Sequence, residues 1–439
     1  MRKGFIFNHN KCVNCGACSA ACILENGWTI QPRMIFTYNS DALPSLPLTN
    51  LSLACNHCET PVCLEGCPTT SYYREALTGA VIIDERKCIG CKYCQWNCPY
   101  DAPKFDTEKR IIGKCNLCYT GLIEGRLPAC ATACPTGALD FGELSESIAE
   151  NIPPWFPDKN LNPAIGLTGK QINIPLRIIP EKIFEPEISI SGKKERGITG
   201  EWSLVAFSFL TTISVATIIS SLINGIFPEK ILFISIIILA GLVSLFHLGK
   251  RLRAWRAIAN LRSSPLSREI ALFIIYSAVS FIAVFFQLPG FLIASSIVGL
   301  ILLIVIDSVY IYADKRKSVI MHSGQTFLSG LLIVSFFTGF VLPFLFIAVI
   351  KLLSSAYSLY INKIAGIQFG VRFIRIALLI VTGVSLVSEI SYPDPVISSL
   401  FLTGELIDRI IFYIDFAPVN FNTEIIKQIN IERNEKKRG

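Results

Sequence analysis

The chain contains no cysteine after Cys134, so all sixteen of its thiols lie in the first 134 of 439 residues. Small secreted domains that depend on disulfides normally carry an apolar export signal. Residues 1–7 include two basic side chains, and no apolar run of signal-peptide type precedes Cys12. This absence disfavours a disulfide scaffold.

Charged residues are scarce, at 17% of the chain, and long uncharged apolar runs are absent before about Ser203. Beyond that point such runs recur, and each approaches the ~20 residues that cross a bilayer. The chain is 51% hydrophobic with a mean hydropathy of +0.51. That value is too apolar for a soluble protein of this length and indicates a membrane-embedded second half.

The cysteines fall into four groups of four. Two groups have the C-x2-C-x2-C-x3-C spacing of bacterial ferredoxins, and the other two are the same motif with one gap widened to x4 and x11. Sixteen thiolates are sufficient for four [4Fe–4S] clusters. The groups are Cys12, Cys15, Cys18, Cys22; Cys55, Cys58, Cys63, Cys67; Cys88, Cys91, Cys94, Cys98; and Cys115, Cys118, Cys130, Cys134.

Zinc is the main alternative ligand, because CxxC pairs also build tetrahedral zinc sites. Zinc modules usually separate two CxxC pairs by a dozen or more residues. Here three of the four groups end in Cys-Pro, at Pro68, Pro99 and Pro135, as ferredoxin motifs do; the first group has Ile23 instead. The pattern favours iron–sulfur clusters, but spacing alone does not say which groups share a cluster.

The sequence predicts a multi-domain protein. An α+β double ferredoxin-like domain with four [4Fe–4S] clusters precedes an all-α bundle of about eight transmembrane helices. Between these two domains lies a proline-rich connector, which either links them passively or packs on the cluster domain. We expect the C-terminal tail to be solvated or to face lipid headgroups. The predicted boundaries are 1–142 for the cluster domain, 143–200 for the connector, 201–416 for the membrane anchor and 417–439 for the polar, basic tail.

Loop charge predicts the orientation of the spans. Basic residues in short loops mark the cytoplasmic face of a membrane, and they collect on the side that carries both ends of the anchor, including Lys250, Arg262 and Arg268. We therefore expect a multi-pass protein of the cytoplasmic membrane with its cluster domain on the cytoplasmic side. The candidate spans are about 203–225, 231–248, 269–287, 290–312, 324–342, 344–361, 370–389 and 394–414.

Polar residues at span ends suggest a redox site. His247 ends the second span and Glu269 opens the third, and such a pair suits hydrogen bonding to a quinone and transfer of its protons. The alternative is that both are ordinary interfacial residues. Within the spans, Asp307, Lys351 and Glu405 are candidates for a proton path. Lys351 alternatively snorkels to the interface, and Glu405 alternatively pairs with Arg409 one turn on.

Several segments carry a resemblance to a known family. Lys114–Cys118, Pro128–Cys130, Cys134–Gly142 and Cys88–Pro103 resemble the iron–sulfur subunit of dimethyl-sulfoxide-reductase-type complexes. Glu201–Phe207, His247–Glu269 and Gly404–Tyr413 resemble the membrane anchor subunit of the same complexes. The protein therefore resembles a fusion of two subunits that are normally separate.

The resemblance implies a cluster arrangement and a quinol site. It pairs Cys12, Cys15, Cys18 with Cys134; Cys22 with Cys115, Cys118, Cys130; Cys55, Cys58, Cys63 with Cys98; and Cys67 with Cys88, Cys91, Cys94. It places menaquinol near His247 and Glu269, with Arg253 beside them.

The implied function is electron transfer from membrane quinol, through four [4Fe–4S] clusters, to a separate catalytic subunit with a molybdenum or tungsten bis-pterin cofactor. A polysulfide, sulfur or other reductase of the same class, or the reverse quinone-reducing direction, fits the same motifs. No partner nucleic acid is indicated. Two other classes remain: a redox-driven ion pump, for which Asp307 and Lys351 are too few intramembrane charges, and a membrane-tethered ferredoxin scaffold.

Overall fold

The computed structural model describes residues 2–38, 48–145, 156–157, 159–169, 198–313, 322–362, 367–388, 394–416, 421 and 425. Most of the predicted connector and tail lies outside these ranges, as do several of the basic loop residues, among them Lys193, Arg196, Lys315 and Lys363. The protein divides into two compact units: Met1–Lys194 with Pro418–Gly439, and Glu195–Ala417. Each is described separately.

The first unit is built on small antiparallel pairs of strands and short helices. Its strands are β1 (Lys3–Asn8), β2 (Met34–Tyr38), β3 (Thr49–Leu53), β4 (Tyr72–Arg74), β5 (Val81–Ile83), β6 (Lys104–Asp106), β7 (Ile111–Gly113), β8 (Leu139–Glu143) and β9 (Ile165–Thr168). Its α-helices are α1 (Ala17–Asn26), α2 (Val62–Glu65), α3 (Tyr93–Asn97), α4 (Tyr119–Ile123) and α5 (Ala129–Thr132), with 3-10 turns at His9–Lys11 and Lys159–Leu161.

Strand β1 lies at the centre of a three-stranded sheet in the order β8-β1-β9. It pairs antiparallel with β8, with Phe5 opposite Phe141, and parallel with β9, with Phe5 opposite Ile165. The other strands form three hairpin-like pairs, β2-β3, β4-β5 and β6-β7. Each pair reverses the direction of the polypeptide between cysteine motifs, so the motifs lie close together in a small core.

Parts of the connector and of the tail belong to this core. Strand β9 and Phe156 come from the predicted connector, and Phe156 stacks on Tyr100 with ring centroids 5.6 Å apart. The described part of the connector therefore packs on the cluster unit, which extends past residue 142. Phe421 and Ile425 are fully buried in the same apolar cluster, so the prediction of a solvated tail is wrong for these two residues.

The second unit is helical. Its α-helices, in the described residues, are α6 (Ile198–Asn224), α7 (Lys230–Ser244), α8 (Pro265–Phe285), α9 (Pro289–Ala313), α10 (Thr326–Thr338), α11 (Val341–Asn362), α12 (Ile367–Val387) and α13 (Pro395–Asp415), and two 3-10 helices, Leu245–His247 and Arg251–Ile258, lie between α7 and α8. Two helix starts follow the usual chemistry: Ser264 and Asp394 accept backbone N–H groups of α8 and α13, and proline follows each of them.

Six of these helices are long and apolar enough to cross a membrane. Helix α10, with 13 residues, is shorter than a bilayer requires. Helix α13 is long enough, but Glu405, Asp408 and Arg409 interrupt its apolar run. The helical, membrane-like character of this unit agrees with the prediction, and the count of eight crossings stays a prediction.

Candidate iron–sulfur centres

The structure gathers the cysteines into four sets drawn from different motifs. One cavity, with an empty volume of about 300 Å³, is lined by Cys12, Cys15, Cys18 and Cys134. A second, of about 370 Å³, is lined by Cys55, Cys58, Cys63 and Cys98. In each cavity the fourth thiol comes from a motif far along the sequence, as in two-cluster ferredoxins.

The other eight cysteines form two further sets. The thiols that act most strongly on Cys22 are Cys115, Cys130 and Cys118. Around Cys94 they are Cys91, Cys88 and Cys67. The resemblance predicts this same grouping, and the assignment of each cysteine to a particular cluster stays a prediction.

Tight turns aim backbone N–H groups at the cysteine sulfurs. His57, Leu117 and Cys118 adopt positive φ angles, which turn the backbone sharply just after a ligand. The N–H of His57 points to Cys55 Sγ at 3.5 Å, and that of Leu117 to Cys115 Sγ at 3.4 Å. Donors of this kind stabilise thiolate charge and are one of the means by which proteins set cluster potentials.

Burial disfavours the thiolate form of several of these cysteines. It raises the pKa of Cys98 to about 11 and that of Cys115 to about 12. Burial also disfavours ionisation of Cys134, but hydrogen bonds to its sulfur, led by that from the Leu139 N–H, outweigh the effect and lower its pKa. Since iron binds thiolates, cluster assembly must displace protons from the buried thiols.

Buried donors without a protein acceptor lie beside the cysteine sets. Within the described residues they include Nε and Nη2 of Arg33, Nδ2 of Asn56, Nε2 of His57 and Nδ2 of Asn97. Buried polar groups are rarely left without a partner. Cluster sulfides and thiolates are acceptors that fill this need, so the residues present fit [4Fe–4S] clusters. No three Cys, His, Asp or Glu side chains in the described part of the protein lie close enough to share one metal ion.

The predicted quinol residues occupy the region between α7 and α8. His247 ends the 3-10 helix Leu245–His247 and is half-buried, as is Arg253 in the next 3-10 helix. That second helix is tied to α8 by the Ser267 hydroxyl, which donates to the Ala257 carbonyl at 2.6 Å. Glu269, on α8, is only 4% exposed.

Glu269 lies among groups that sequence analysis did not connect with it. The charges that act on it most are Arg409 on α13 and Asp307 on α9. Arg409 also lies over the ring of Tyr413, with its guanidinium carbon 4.9 Å from the centroid. The hydroxyls of Tyr310 and Tyr413 are 2.5 Å apart. A carboxyl, an arginine and two tyrosines thus meet on one side of the bundle.

A second buried polar cluster joins α11, α12 and α13. Lys351 on α11 is fully buried and pairs with Glu405, and its Nζ is 3.2 Å from Asp408. Asp408 also accepts from Arg375 at 2.8 Å. The alternative that Lys351 snorkels is therefore wrong. So is the suggested Glu405–Arg409 pair, because Arg409 instead lies 3.7 Å from Asp307.

Residues 48–144 match the family model described as a 4Fe-4S dicluster domain. The class of protein defined by the fold and the cysteine sets is thus an iron–sulfur protein with a ferredoxin-like unit, followed by a helical region with six apolar helices.

Relatives give the family. The sequence is 36% identical over 154 residues to the B subunit of anaerobic dimethyl sulfoxide reductase of Haemophilus influenzae, covering 33% of this protein and 75% of that one. It is 36% identical over 153 residues to the Escherichia coli B subunit, with 33% and 74% covered. It is 34% identical over 164 residues to the thiosulfate reductase electron transfer subunit PhsB of Salmonella typhi, with 36% and 82% covered. This protein belongs to the family of iron–sulfur B subunits typified by that of dimethyl sulfoxide reductase.

Proposed function

We propose that this protein is the electron-transfer and membrane-anchor subunit of a molybdopterin oxidoreductase of the dimethyl sulfoxide reductase family. It takes electrons from membrane quinol and passes them through four [4Fe–4S] clusters to a separate catalytic subunit with a molybdenum or tungsten bis-pterin cofactor. The observation that carries this proposal is the assembly of sixteen cysteines into four sets of four. When bound, such clusters accept and release one electron at a time.

The proposed quinol site comprises His247, Arg253 and Glu269. The imidazole of His247 binds one quinol oxygen by a hydrogen bond, and Arg253 orients the head group from the neighbouring 3-10 helix. Oxidation of the quinol releases two protons; Glu269, which is buried beside Arg409 and Asp307, takes one of them and His247 takes the other.

The proposed setting is the cytoplasmic membrane, with eight helices crossing it and the cluster unit on the cytoplasmic side. Six apolar helices and the basic residues of 250–268 support it. Accessibility of single cysteines introduced at exposed positions, labelled from either side of sealed vesicles, tests the orientation. Labelling of the cluster unit only by a reagent added outside right-side-out vesicles would overturn the proposed orientation.

The site is tested in the complex with its catalytic partner. His247→Ala and Glu269→Gln should each abolish reduction of the clusters by a quinol analogue while leaving reduction by dithionite intact. Glu229→Gln, which changes an exposed carboxyl at the start of α7, is the matched control and should leave both reductions unchanged. Quinol-driven reduction at the wild-type rate in both site variants would remove the site assignment.

The second candidate function is a redox-driven ion pump. More charged residues are buried in this unit than the sequence singled out, since Lys351, Arg375, Glu405 and Asp408 join Asp307 and Arg409 in its interior. Lys351 and Arg375 nevertheless balance Glu405 and Asp408, two positive charges against two negative, which favours a structural role. The test is the pH inside sealed liposomes during quinol oxidation. A pH change larger than the protons released by the quinol itself can produce, which disappears in Glu405→Gln, would establish the pump.

A further inference from the structure

A buried arginine lies between two of the cysteine sets. Arg33, immediately before β2, is 1% exposed. The thiols that act on its guanidinium most are Cys130 and Cys115 of one set, then Cys18 of another, then Cys22. Helix α1 makes these two sets neighbours, because Cys18 and Cys22 are four residues apart on it and belong to different sets.

The protein holds this guanidinium firmly but leaves part of it without an acceptor. Its Nη1 donates to the Ser52 hydroxyl at 3.2 Å, and that hydroxyl is 3.4 Å from Cys18 Sγ. The guanidinium carbon lies 4.3 Å from the centroid of the Phe5 ring. The Ser19 hydroxyl donates to the Arg33 carbonyl at 2.8 Å. Nε and Nη2 have no oxygen or nitrogen acceptor, and the Arg33 side chain faces the sulfur of Cys130.

A buried cation needs a compensating anion. Removing an arginine from water without a partner costs several kcal/mol, and among the ion pairs of the described residues no carboxylate partners Arg33. The charge that compensates must therefore come from the cysteine sets. A cluster with its four thiolates is an anion, and it gains a further negative charge when it accepts an electron.

We propose that Arg33 is a positioning residue for redox potential, which raises the potentials of two neighbouring clusters together. These clusters are the one held by Cys12, Cys15, Cys18 and Cys134 and the one held by Cys22, Cys115, Cys118 and Cys130. The positive charge stabilises the reduced, more negative form of each, and its two open N–H groups donate to cluster or cysteine sulfur. This inference rests on the proposed loading of the thiols with [4Fe–4S] clusters.

The mechanism has a functional consequence. An electron passes efficiently between neighbouring centres when neither is much harder to reduce than the other. One cation shared by two clusters shifts both in the same direction, so it raises their potentials without opening a gap between them. The clusters of the other two sets should keep their potentials, because the contacts that hold the Arg33 guanidinium lead to the Cys18 and Cys130 sulfurs.

The test is a redox titration followed by electron paramagnetic resonance on the anaerobically purified full-length protein. Arg33→Gln should make reduction of two of the four clusters about tenfold less favourable, which is a fall of about 59 mV for a one-electron couple. Arg86→Gln is the matched control, because it removes the same charge from a side chain that is 90% exposed, and it should move no potential. Cys134→Ser and Cys118→Ser identify the two affected signals as those that they alter.

A second variant covers poor assembly. If Arg33→Gln lacks iron, Arg33→Lys is measured instead. Full iron content with the two potentials near wild type then supports the proposal. Loss of iron in Arg33→Lys as well shows a purely structural role and overturns it. Four unchanged potentials in Arg33→Gln, or an equal shift of all four, would also overturn it while leaving the proposed function intact. A wild-type protein without four cluster signals would instead remove the proposed function itself.

Discussion

Removal of the Lys351 ammonium should destabilise the helical unit strongly. Lys351 is fully buried, pairs with Glu405, contacts Asp408 at 3.2 Å and donates to the Ser329 hydroxyl at 2.8 Å. Lys351→Met leaves Glu405 and Asp408 with only Arg375 to balance them. Breaking a buried pair in this way costs about 3–5 kcal/mol. The unfolding equilibrium therefore shifts by roughly a hundredfold or more.

The double variant Lys351→Met with Glu405→Gln provides the decisive comparison. It removes one charge of each sign and leaves Asp408 with Arg375, whose Nη2 is 2.8 Å from the carboxylate. We expect it to recover most of the lost stability. The assay is loss of helical circular dichroism in mixed micelles with increasing denaturing detergent, for the wild type, both single variants and the double variant. A double variant at least as unstable as the sum of the two single variants would refute the charge-balance argument.

Three further outcomes are expected. Phe421→Ala should destabilise the cluster unit by about 3–5 kcal/mol, since its ring is fully buried in that core; a melting experiment in which it behaves like the exposed Tyr73→Ala contradicts this. The apo-protein should bind iron and sulfide more tightly at higher pH. The pKa values of Cys98 and Cys115 are raised to about 11 and about 12, so fewer protons need displacing as the pH rises towards them. An affinity that falls or stays flat from neutral pH upwards argues against this. The purified protein should contain about sixteen irons with matching labile sulfide, and stoichiometric zinc instead would end the cluster assignment.

Local features were the ones that the sequence could predict. The cysteine motifs are contiguous, so their spacing indicates cluster chemistry without a fold. The apolar helices are likewise visible, because each is a single uninterrupted run. Which cysteines share a set depends on how the polypeptide returns on itself, and for that the family resemblance was needed.

Features that depend on partners from distant segments were not predictable. Glu405 and Arg409 are one helical turn apart, but Glu405 pairs with Lys351 and Arg409 lies beside Asp307. Lys351 and Asp307 lie on other helices and are themselves buried, so each needs an opposite charge. Arg33 gave no signal in the sequence, being one of many basic residues. Its role emerges only when α1, β2 and β3 bring it beside two cysteine sets.

The apolar cluster of the first unit includes Phe421 and Ile425 as well as Phe5 and Phe7. Phe421 and Ile425 follow the second unit in the sequence, so the ribosome adds them only after every helix of that unit has been translated. The apolar core around the cysteines is therefore complete only after the whole helical unit has been synthesised.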